Sequence, residues 1–126
     1  MTRGCHVLGC DNKISSIVYG TLVCGSNNEI TTNAHRSLVS GSQNKINYLS
    51  DSFICGGTNT IAGANYSLIL SNNNKITGAA YSFVGGLNST LGNLYDSIVF
   101  GESISGPGQD ENVESTADIS NSLVVG

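Results

Sequence analysis

The residue types that most often perform catalysis are few in this chain and poorly placed for it. The two histidines, His6 and His35, lie in different segments and at non-equivalent positions. A nucleophile elbow, a phosphate-binding glycine loop and a paired-carboxylate motif are all missing from the sequence. The four cysteines do not form a C-x-x-C pair, so a structural zinc site is not predicted. We expect no catalytic residues, no cofactor and no enzymatic activity.

Carboxylates are concentrated in one segment, ESISGPGQDENVESTADISN, at 102–121. Five of the nine Asp and Glu residues lie here, including Asp110, Glu111 and Glu114. Clustered carboxylates can bind hard cations, but Asp110 and Glu111 match no EF-hand register, and a metal site is not predicted. The plainer interpretation is a projecting acidic loop in which Asp110, Glu111 and Glu114 contact a receptor or a neighbouring subunit.

Tyrosines are the second group that could bind a ligand. Aromatic side chains beside Asn and Ser form a type of surface that binds sugars. Tyr66, Tyr81 and Tyr95 are the candidate binding residues among the five tyrosines of the chain. The alternative is that these rings only fill grooves between structural repeats.

Charge and hydropathy exclude several partners. Five Lys and Arg against nine Asp and Glu give a net charge of −4, whereas nucleic-acid binding needs clustered cations. No apolar run approaches the roughly 20 residues that cross a bilayer, so membrane insertion is not expected. The first ten residues, MTRGCHVLGC, lack the apolar stretch of a signal peptide, which predicts synthesis in the cytoplasm.

These residues belong to a repeating sequence that must position them. Its template is S-x-[VI]-x-G-x-x-N-x-I, numbered here as positions one to ten, and successive copies start 16 or 15 residues apart. A short fixed period is the mark of a solenoid, in which each unit packs on the next. The aligned copies are CHVLGCDNKI (5–14), TLVCGSNNEI (21–30), SLVSGSQNKI (37–46), SFICGGTNTI (52–61), SLILSNNNKI (67–76) and SFVGGLNSTL (82–91).

The residue types at each position predict β-structure. Position three is always Val or Ile, position five is Gly with Ser71 as the exception, and position eight is mostly Asn. β-branched residues favour strands, while Gly and Asn favour tight corners and oppose helices. The pattern therefore predicts two short strands in each coil, S-x-[VI]-x and N-x-I, joined by a Gly/Asn corner and a loop. Equivalent strands would pair in parallel about 4.8 Å apart, with Val39, Ile54 and Ile69 in one stack.

Burial patterns predict self-association. Positions two and four are largely apolar, as position three is, so both faces of the first strand are apolar. One face fills the coil, and the other forms a ridge larger than a soluble monomer normally exposes. A homo-oligomer is expected, and the alternative is a flat two-layer roll that buries both faces itself. Cys24 and Cys55 lie two coils apart, about 9–10 Å, beyond the roughly 7 Å limit for a disulfide, and are expected to be buried free thiols.

The repeat resembles the head repeats of YadA-like trimeric autotransporter adhesins. It is also similar to repeats in bacteriophage tail fibres and in surface-fibre proteins of giant viruses. The resemblance covers 5–101 and 122–126, with matching Ser and Gly positions, although the adhesin heads often have Ala at positions three and ten. It implies left-handed parallel β-rolls, a homotrimer and attachment to host surfaces. We divide the chain into solenoid repeats (1–101), an acidic inserted loop (102–121) and the start of a further repeat (122–126).

The expected function is a non-catalytic structural and attachment module of a trimeric fibre. Such a module would form a rigid rod and present a surface to a host glycan or protein receptor. The neck, stalk and anchor of autotransporters do not occur in this sequence, which favours a virion or an extracellular tail fibre over a bacterial cell surface. The same repeats could instead form a solenoid that flanks or trimerises a separate catalytic or chaperone domain. An ice-binding solenoid is also conceivable, but it would need threonine rows that no position shows.

Overall fold

A computed structural model describes residues 2–15, 18–103, 118–120 and 123–125, and all regular elements among them are β-strands. Strands from successive repeats pair in parallel and build three ladders that run along the molecule. The chain is therefore an all-β parallel β-solenoid, as predicted. Within these residues, no helix is long and apolar enough to cross a membrane.

Ladder 1 contains one strand of each repeat, five residues long at positions two to six in all but the last. Its β-branched residue at position three points inward and packs against the same residue of the next coil. Ile54 pairs with Val39 on one side and with Ile69 on the other, which confirms the predicted stack. The strands of ladder 1 are β2 (His6–Cys10), β5 (Leu22–Ser26), β8 (Leu38–Ser42), β11 (Phe53–Gly57), β14 (Leu68–Asn72), β16 (Phe83–Leu87), β18 (Ile98–Glu102) and β20 (Leu123–Val125).

Ladder 2 contains positions nine and ten, and ladder 3 lies in the connector that follows. The two ladders join where β15 (Lys75–Ala80) and β17 (Thr90–Tyr95) run through both without a break. The other strands of ladder 2 are β3 (Lys13–Ile14), β6 (Glu29–Ile30), β9 (Lys45–Ile46) and β12 (Thr60–Ile61). The other strands of ladder 3 are β1 (Thr2–Arg3), β4 (Val18–Tyr19), β7 (Ala34–His35), β10 (Leu49–Ser50), β13 (Ala64–Asn65) and β19 (Asp118–Ser120).

Ladder 3 differs from the prediction of two strands and a loop in each coil. Its inward position is occupied by residues of very different size, from Ala to Leu, so no β-branched column marks it in the sequence. All of these side chains are nevertheless buried: Val18, Ala34, Leu49, Ala64, Ala79 and Leu94. The connector is therefore a third wall of the core.

The core consists of three inward columns, one from each ladder. Besides the column of ladder 3, these are position three, with Val23, Val39, Ile54, Ile69, Val84 and Val99, and position ten, with Ile30, Ile46, Ile61, Ile76 and Leu91. Each residue packs on its equivalents one coil away, so burial depends on stacking. This agrees with the expectation for a solenoid, in which a single repeat cannot bury its own apolar face.

An asparagine ladder, formed by Asn12, Asn28, Asn44, Asn59 and Asn74 at position eight, runs inside one corner. The Nδ2 of Asn44 donates to Oδ1 of Asn28 at 2.9 Å and to the carbonyl of Gly56 at 2.9 Å. The same pattern links Asn59 to Asn44 and Asn28 to Asn12. These side chains satisfy buried backbone groups at the turn, which would otherwise destabilise the fold.

The asparagine ladder ends at Asn74. The hydroxyl of Ser71, which replaces the usual Gly at position five, donates to Oδ1 of Asn59 at 3.1 Å. In the other coils, the Asn Oδ1 accepts this bond from the Nδ2 of the Asn in the following coil. Here the Nδ2 of Asn74, which would be that donor, has no hydrogen-bond partner among the described residues. The exception at position five therefore interrupts the ladder one coil later.

Two backbone corners in each coil adopt left-handed conformations. The first is at position seven, with φ of 56° at Asn27 and 58° at Gln43. The Asn residues at position eight were predicted to form this turn, but from Asn28 onward their side chains are buried and the preceding residue makes the turn instead. Close stacking requires Gly at position five: a Cβ on Gly41 would lie 1.8 Å from the carbonyl oxygen of Gly56.

The outer face of ladder 1 carries the predicted apolar ridge. Phe100 is 56% exposed and Leu70 is 41% exposed at position four. Cys24 and Cys55 lie on this face as half-buried free thiols, and the prediction that they are buried is wrong. The position-two side chains of this ridge are Leu22, Leu38, Phe53, Leu68, Phe83, Ile98 and Leu123.

Candidate ligand groove beside the apolar ridge

The second left-handed corner of each coil immediately precedes position one, and its residues form what we call the corner column. From Arg36 onward, its members differ in charge and size although their backbones are equivalent. Their φ angles lie between 43° and 51°. The described members are Gly4, Gly20, Arg36, Asp51, Tyr66, Tyr81 and Asp96.

From Arg36 to Asp96, the residue after each corner is a buried serine that stabilises the turn. The hydroxyl of Ser67 donates to the carbonyl of Asn65 at 2.8 Å and accepts the backbone N–H of Ser82 at 3.2 Å. Ser37, Ser52 and Ser82 make the same pair of bonds with their own neighbours. Each hydroxyl bonds to the backbone of its own coil and of the next coil. The serine column therefore links successive corners and keeps the corner residues at a regular spacing.

A groove of about 1250 Å³ runs along the solenoid over this serine column. One wall is the corner column from Gly20 to Asp96, and the other is the edge of the apolar ridge. The ridge residues that line it are Leu38, Phe53, Leu68, Phe83 and Ile98. The groove therefore combines an apolar wall with a wall of aromatic and charged side chains.

Two predicted binding residues, Tyr66 and Tyr81, meet in this groove. Their rings are stacked, with centroids 5.1 Å apart and planes 3° from parallel. Both rings remain accessible, with Tyr66 54% and Tyr81 62% exposed. Tyr95 lies in ladder 3, where it pairs with Ala80 and lines a separate small hollow. The structure thus brings two of the three candidate tyrosines together and places the third elsewhere.

The charged members of the corner column lie on either side of the tyrosines. Arg36 makes a two-pronged ion pair with Asp51, from Nε to Oδ1 at 2.6 Å and from Nη2 to Oδ2 at 2.7 Å. The hydrogen bond from Arg36, together with one from the Ser50 hydroxyl, lowers the pKa of the Asp51 carboxyl. Asp96 follows Tyr81 in the column and lines the groove.

The remaining predicted groups form no second site in the described part of the chain. Asp110, Glu111 and Glu114 lie outside the described residues. Strands reach both ends of the predicted acidic loop, because β18 ends at Glu102 and β19 begins at Asp118. His35 stacks on Tyr19 with ring centroids 5.4 Å apart, and His6 is exposed. Among the described residues, no three His, Cys, Asp or Glu side chains are grouped as metal ligands.

Sequence reasoning missed Arg36, Asp51 and Asp96 as members of the groove. The signal that could have identified them is their common place before position one, which they share with Tyr66 and Tyr81. Their residue types differ so much that no chemical pattern connects them until the coils are stacked.

Comparison with known proteins adds no family to these observations. No protein-family model matches the chain, and no curated protein is significantly similar to it in sequence.

Proposed function

We propose that this chain is a non-catalytic structural and attachment module of a fibre, a rigid rod that self-associates through the outer face of ladder 1. In this proposal the coils contain 15 or 16 residues and are left-handed, and three copies form a homotrimer. The resemblance to adhesin heads and tail fibres supports the trimer. It also supports location on a virion or an extracellular fibre, with attachment to a host glycan or protein receptor.

The observation that carries the proposal is the continuous apolar ridge. The outer face of ladder 2 is polar by contrast, with Lys45, Thr60 and Lys75 on successive coils and an ion pair of 3.3 Å between Lys13 and Glu29. Large exposed apolar patches mark association surfaces in soluble proteins. The ridge therefore distinguishes one face of the rod as the contact surface.

Repetition favours another copy of this chain as the partner. The ridge presents an apolar side chain at position two on each successive coil from Leu22 to Ile98. A partner can contact every one of these side chains only if its own apolar residues have the same spacing along the rod. A second copy of this chain has that spacing because it has the same coils. Closed symmetry then lets identical ridges cover one another.

The test is the mass of the purified chain by light scattering during size-exclusion chromatography. We expect three times the 13.0 kDa of one chain. Leu38→Lys combined with Leu68→Lys places two cations on the ridge and should give a folded protein of lower mass. Thr31→Lys combined with Thr77→Lys adds the same charge at two exposed residues that directly follow position ten, on the polar side of the rod, and should leave the trimer intact. A folded, monodisperse wild-type monomer would contradict the proposal.

A further inference from the structure

The corner column changes abruptly from two aromatic rings to a short carboxylate. Tyr66 and Tyr81 stack at 5.1 Å with nearly parallel planes, so the rings lie across the direction in which the coils stack. Tyr66 covers one face of the Tyr81 ring, and the next residue of the corner column is Asp96, which lines the same groove. Because an aspartate is much shorter than a tyrosine, the volume that a third ring would fill is left open. We call this space the notch.

The notch is completed by the opposite wall of the groove. Phe83 and Ile98 belong to the same two coils as Tyr81 and Asp96, and all four residues line the groove. The notch therefore has an aromatic floor and a carboxylate at one end. Its apolar side wall is also the edge of the ridge, so a ligand here and the proposed trimer are compatible only if the trimer contact lies on the position-four side of the ridge, where Leu70 and Phe100 are exposed, and leaves the corner column open. The notch continues into the groove past Tyr66 toward Asp51, so a ligand bound there could extend along the rod.

We propose that the notch binds one unit of a neutral oligosaccharide whose chain lies along the groove. This inference rests on the proposed attachment function and gives the receptor a chemical class and a location. A pyranose has a face of C–H groups, which carry partial positive charge and are attracted to the electron-rich face of a tyrosine ring. Its hydroxyls donate to carboxylates, which only accept hydrogen bonds, and Asp96 supplies such a group.

The length of the groove suits an extended sugar chain. From Arg36 to Asp96 the corner column spans four coil steps, or about 19 Å at the usual 4.8 Å between paired strands. Tyr66 and the ion-paired Asp51 continue the aromatic and acceptor groups along this length. Further units of the same oligosaccharide can therefore contact the groove beyond the notch.

Ligands of a different class fit less well. The strands beside the groove are already paired on both sides, as β11 is with β8 and β14, so a peptide finds no open edge to extend. Asp51 and Asp96 repel a polyanion, and Arg36, the cation that lines the groove among the described residues, is bound to Asp51. A small organic cation could also use an aromatic face and a carboxylate, and the experiment includes it as a competing outcome.

The test is binding of the full chain to a printed array of neutral and acidic oligosaccharides, followed by titration with the neutral oligosaccharide that gives the strongest signal. Tyr81→Ala removes the aromatic floor and keeps a residue with a Cβ at the left-handed corner. Asp96→Asn removes the charge with little change of shape. We expect each variant to weaken binding by about tenfold or more.

The matched control is Tyr19→Ala. Tyr19 is also a stacked aromatic residue, with His35 at 5.4 Å, but it lies outside the groove. Its removal should leave oligosaccharide binding unchanged. The proposal is overturned if no neutral oligosaccharide binds, if Tyr81→Ala and Asp96→Asn bind as the wild type does, or if tetramethylammonium chloride or acidic glycans bind instead.

Mass measurement of the same samples separates this inference from the proposed assembly. A trimer that binds no neutral oligosaccharide would overturn the sugar site and leave self-association standing. A monomer whose oligosaccharide binding depends on Tyr81 and Asp96 would support the sugar site and contradict the trimer. Circular dichroism of each variant confirms that the solenoid is folded, and Asp96→Asn supplies an independent test if Tyr81→Ala does not fold.

Discussion

Replacing Asn44 by Ala removes the middle of the asparagine ladder, and its effect can be worked out bond by bond. The buried side chain donates from Nδ2 to Oδ1 of Asn28 and to the Gly56 carbonyl, both at 2.9 Å. Its Oδ1 accepts the backbone N–H of Asn59 at 3.1 Å and the Nδ2 of Asn59 at 3.0 Å. Four hydrogen bonds are lost in a region that excludes water.

The expected loss of stability is about 5 kcal/mol. Three of the four bonds contribute about 1 kcal/mol each, and leaving a buried N–H such as that of Asn59 without its acceptor costs about 2 kcal/mol. Asn59 keeps its other donor bond, from Nδ2 to the Ser71 carbonyl at 2.7 Å, so the effect stays local. A loss of this size is a large fraction of the total stability of a typical domain.

Asn74→Ala is the matched control, since it deletes the same atoms from the same column. Asn74 is also buried, but its Oδ1 accepts one bond, from Ser89 N–H at 2.7 Å, and its Nδ2 has no partner among the described residues. Loss of this bond lowers the free energy of unfolding by about 1–3 kcal/mol, and removal of the buried, unpartnered Nδ2 raises it by a similar amount. The net change should be within about 1 kcal/mol of zero.

The assay is equilibrium unfolding in urea, followed by far-ultraviolet circular dichroism. Protein concentration must be equal for all variants because association stabilises the folded state. We expect Asn44→Ala to lower the free energy of unfolding by at least about 3 kcal/mol more than Asn74→Ala. Equal losses in the two variants would show that the column contributes through volume alone, and the hydrogen-bond reasoning would be wrong.

Two further predictions concern the corners. Gly41→Ala should destabilise by more than about 3 kcal/mol, because φ is +127° and the new Cβ would lie 1.8 Å from the Gly56 oxygen. Gly63→Ala, where nothing lies within 4 Å, should change stability by less than about 1 kcal/mol, and urea unfolding of both variants measures the contrast. The lowered pKa of Asp51, caused by the Arg36 hydrogen bond, means that the unfolded chain binds a proton more readily. This stabilisation is present above the ordinary aspartate pKa of about 4 and is lost as the pH falls through the lower folded value. Asp51→Asn should therefore make stability less dependent on pH below about 4, and an unchanged pH profile of the melting temperature would contradict this role.

The sequence was sufficient to predict the parts of the fold that repeat in residue type. Val or Ile recurs at position three, and Ile or Leu at position ten, so the stacking of these residues follows from their spacing alone. Ladder 3 could not be predicted in this way because Ala34, Leu49 and Ala64 share burial but not shape. The connectors that contain ladder 3 change in length, because the repeat step shortens from 16 to 15 residues along the chain. Which connector residues pair with one another is therefore decided by the backbone hydrogen bonds and not by a constant spacing.

The groove was predicted only in part for a related reason. Tyr66 and Tyr81 stand out as aromatic residues in polar connectors, but Arg36, Asp51 and Asp96 are ordinary charged residues in the sequence. Their relation to the tyrosines is an equivalence of backbone conformation, with φ near 50° at each corner, which residue type does not reveal. Ladder hydrogen bonds then place residues that are 15 apart in the chain next to one another, as Arg36 and Asp51 are.

Comparison of the repeats with one another shows where the chain is free to carry function. Position five tolerates almost nothing but Gly, since a Cβ on Gly25 would lie 1.8 Å from the Gly41 oxygen. Positions one and eight are held by buried side-chain hydrogen bonds, and positions three and ten by packing. The corner column has the same left-handed backbone throughout but is bound by none of these requirements, and it varies from Gly through Arg and Asp to Tyr. A solenoid of this kind can acquire a ligand site by changing corner residues without disturbing the stack, which is why we place the sugar contacts at Tyr81 and Asp96 and not in the repeated positions.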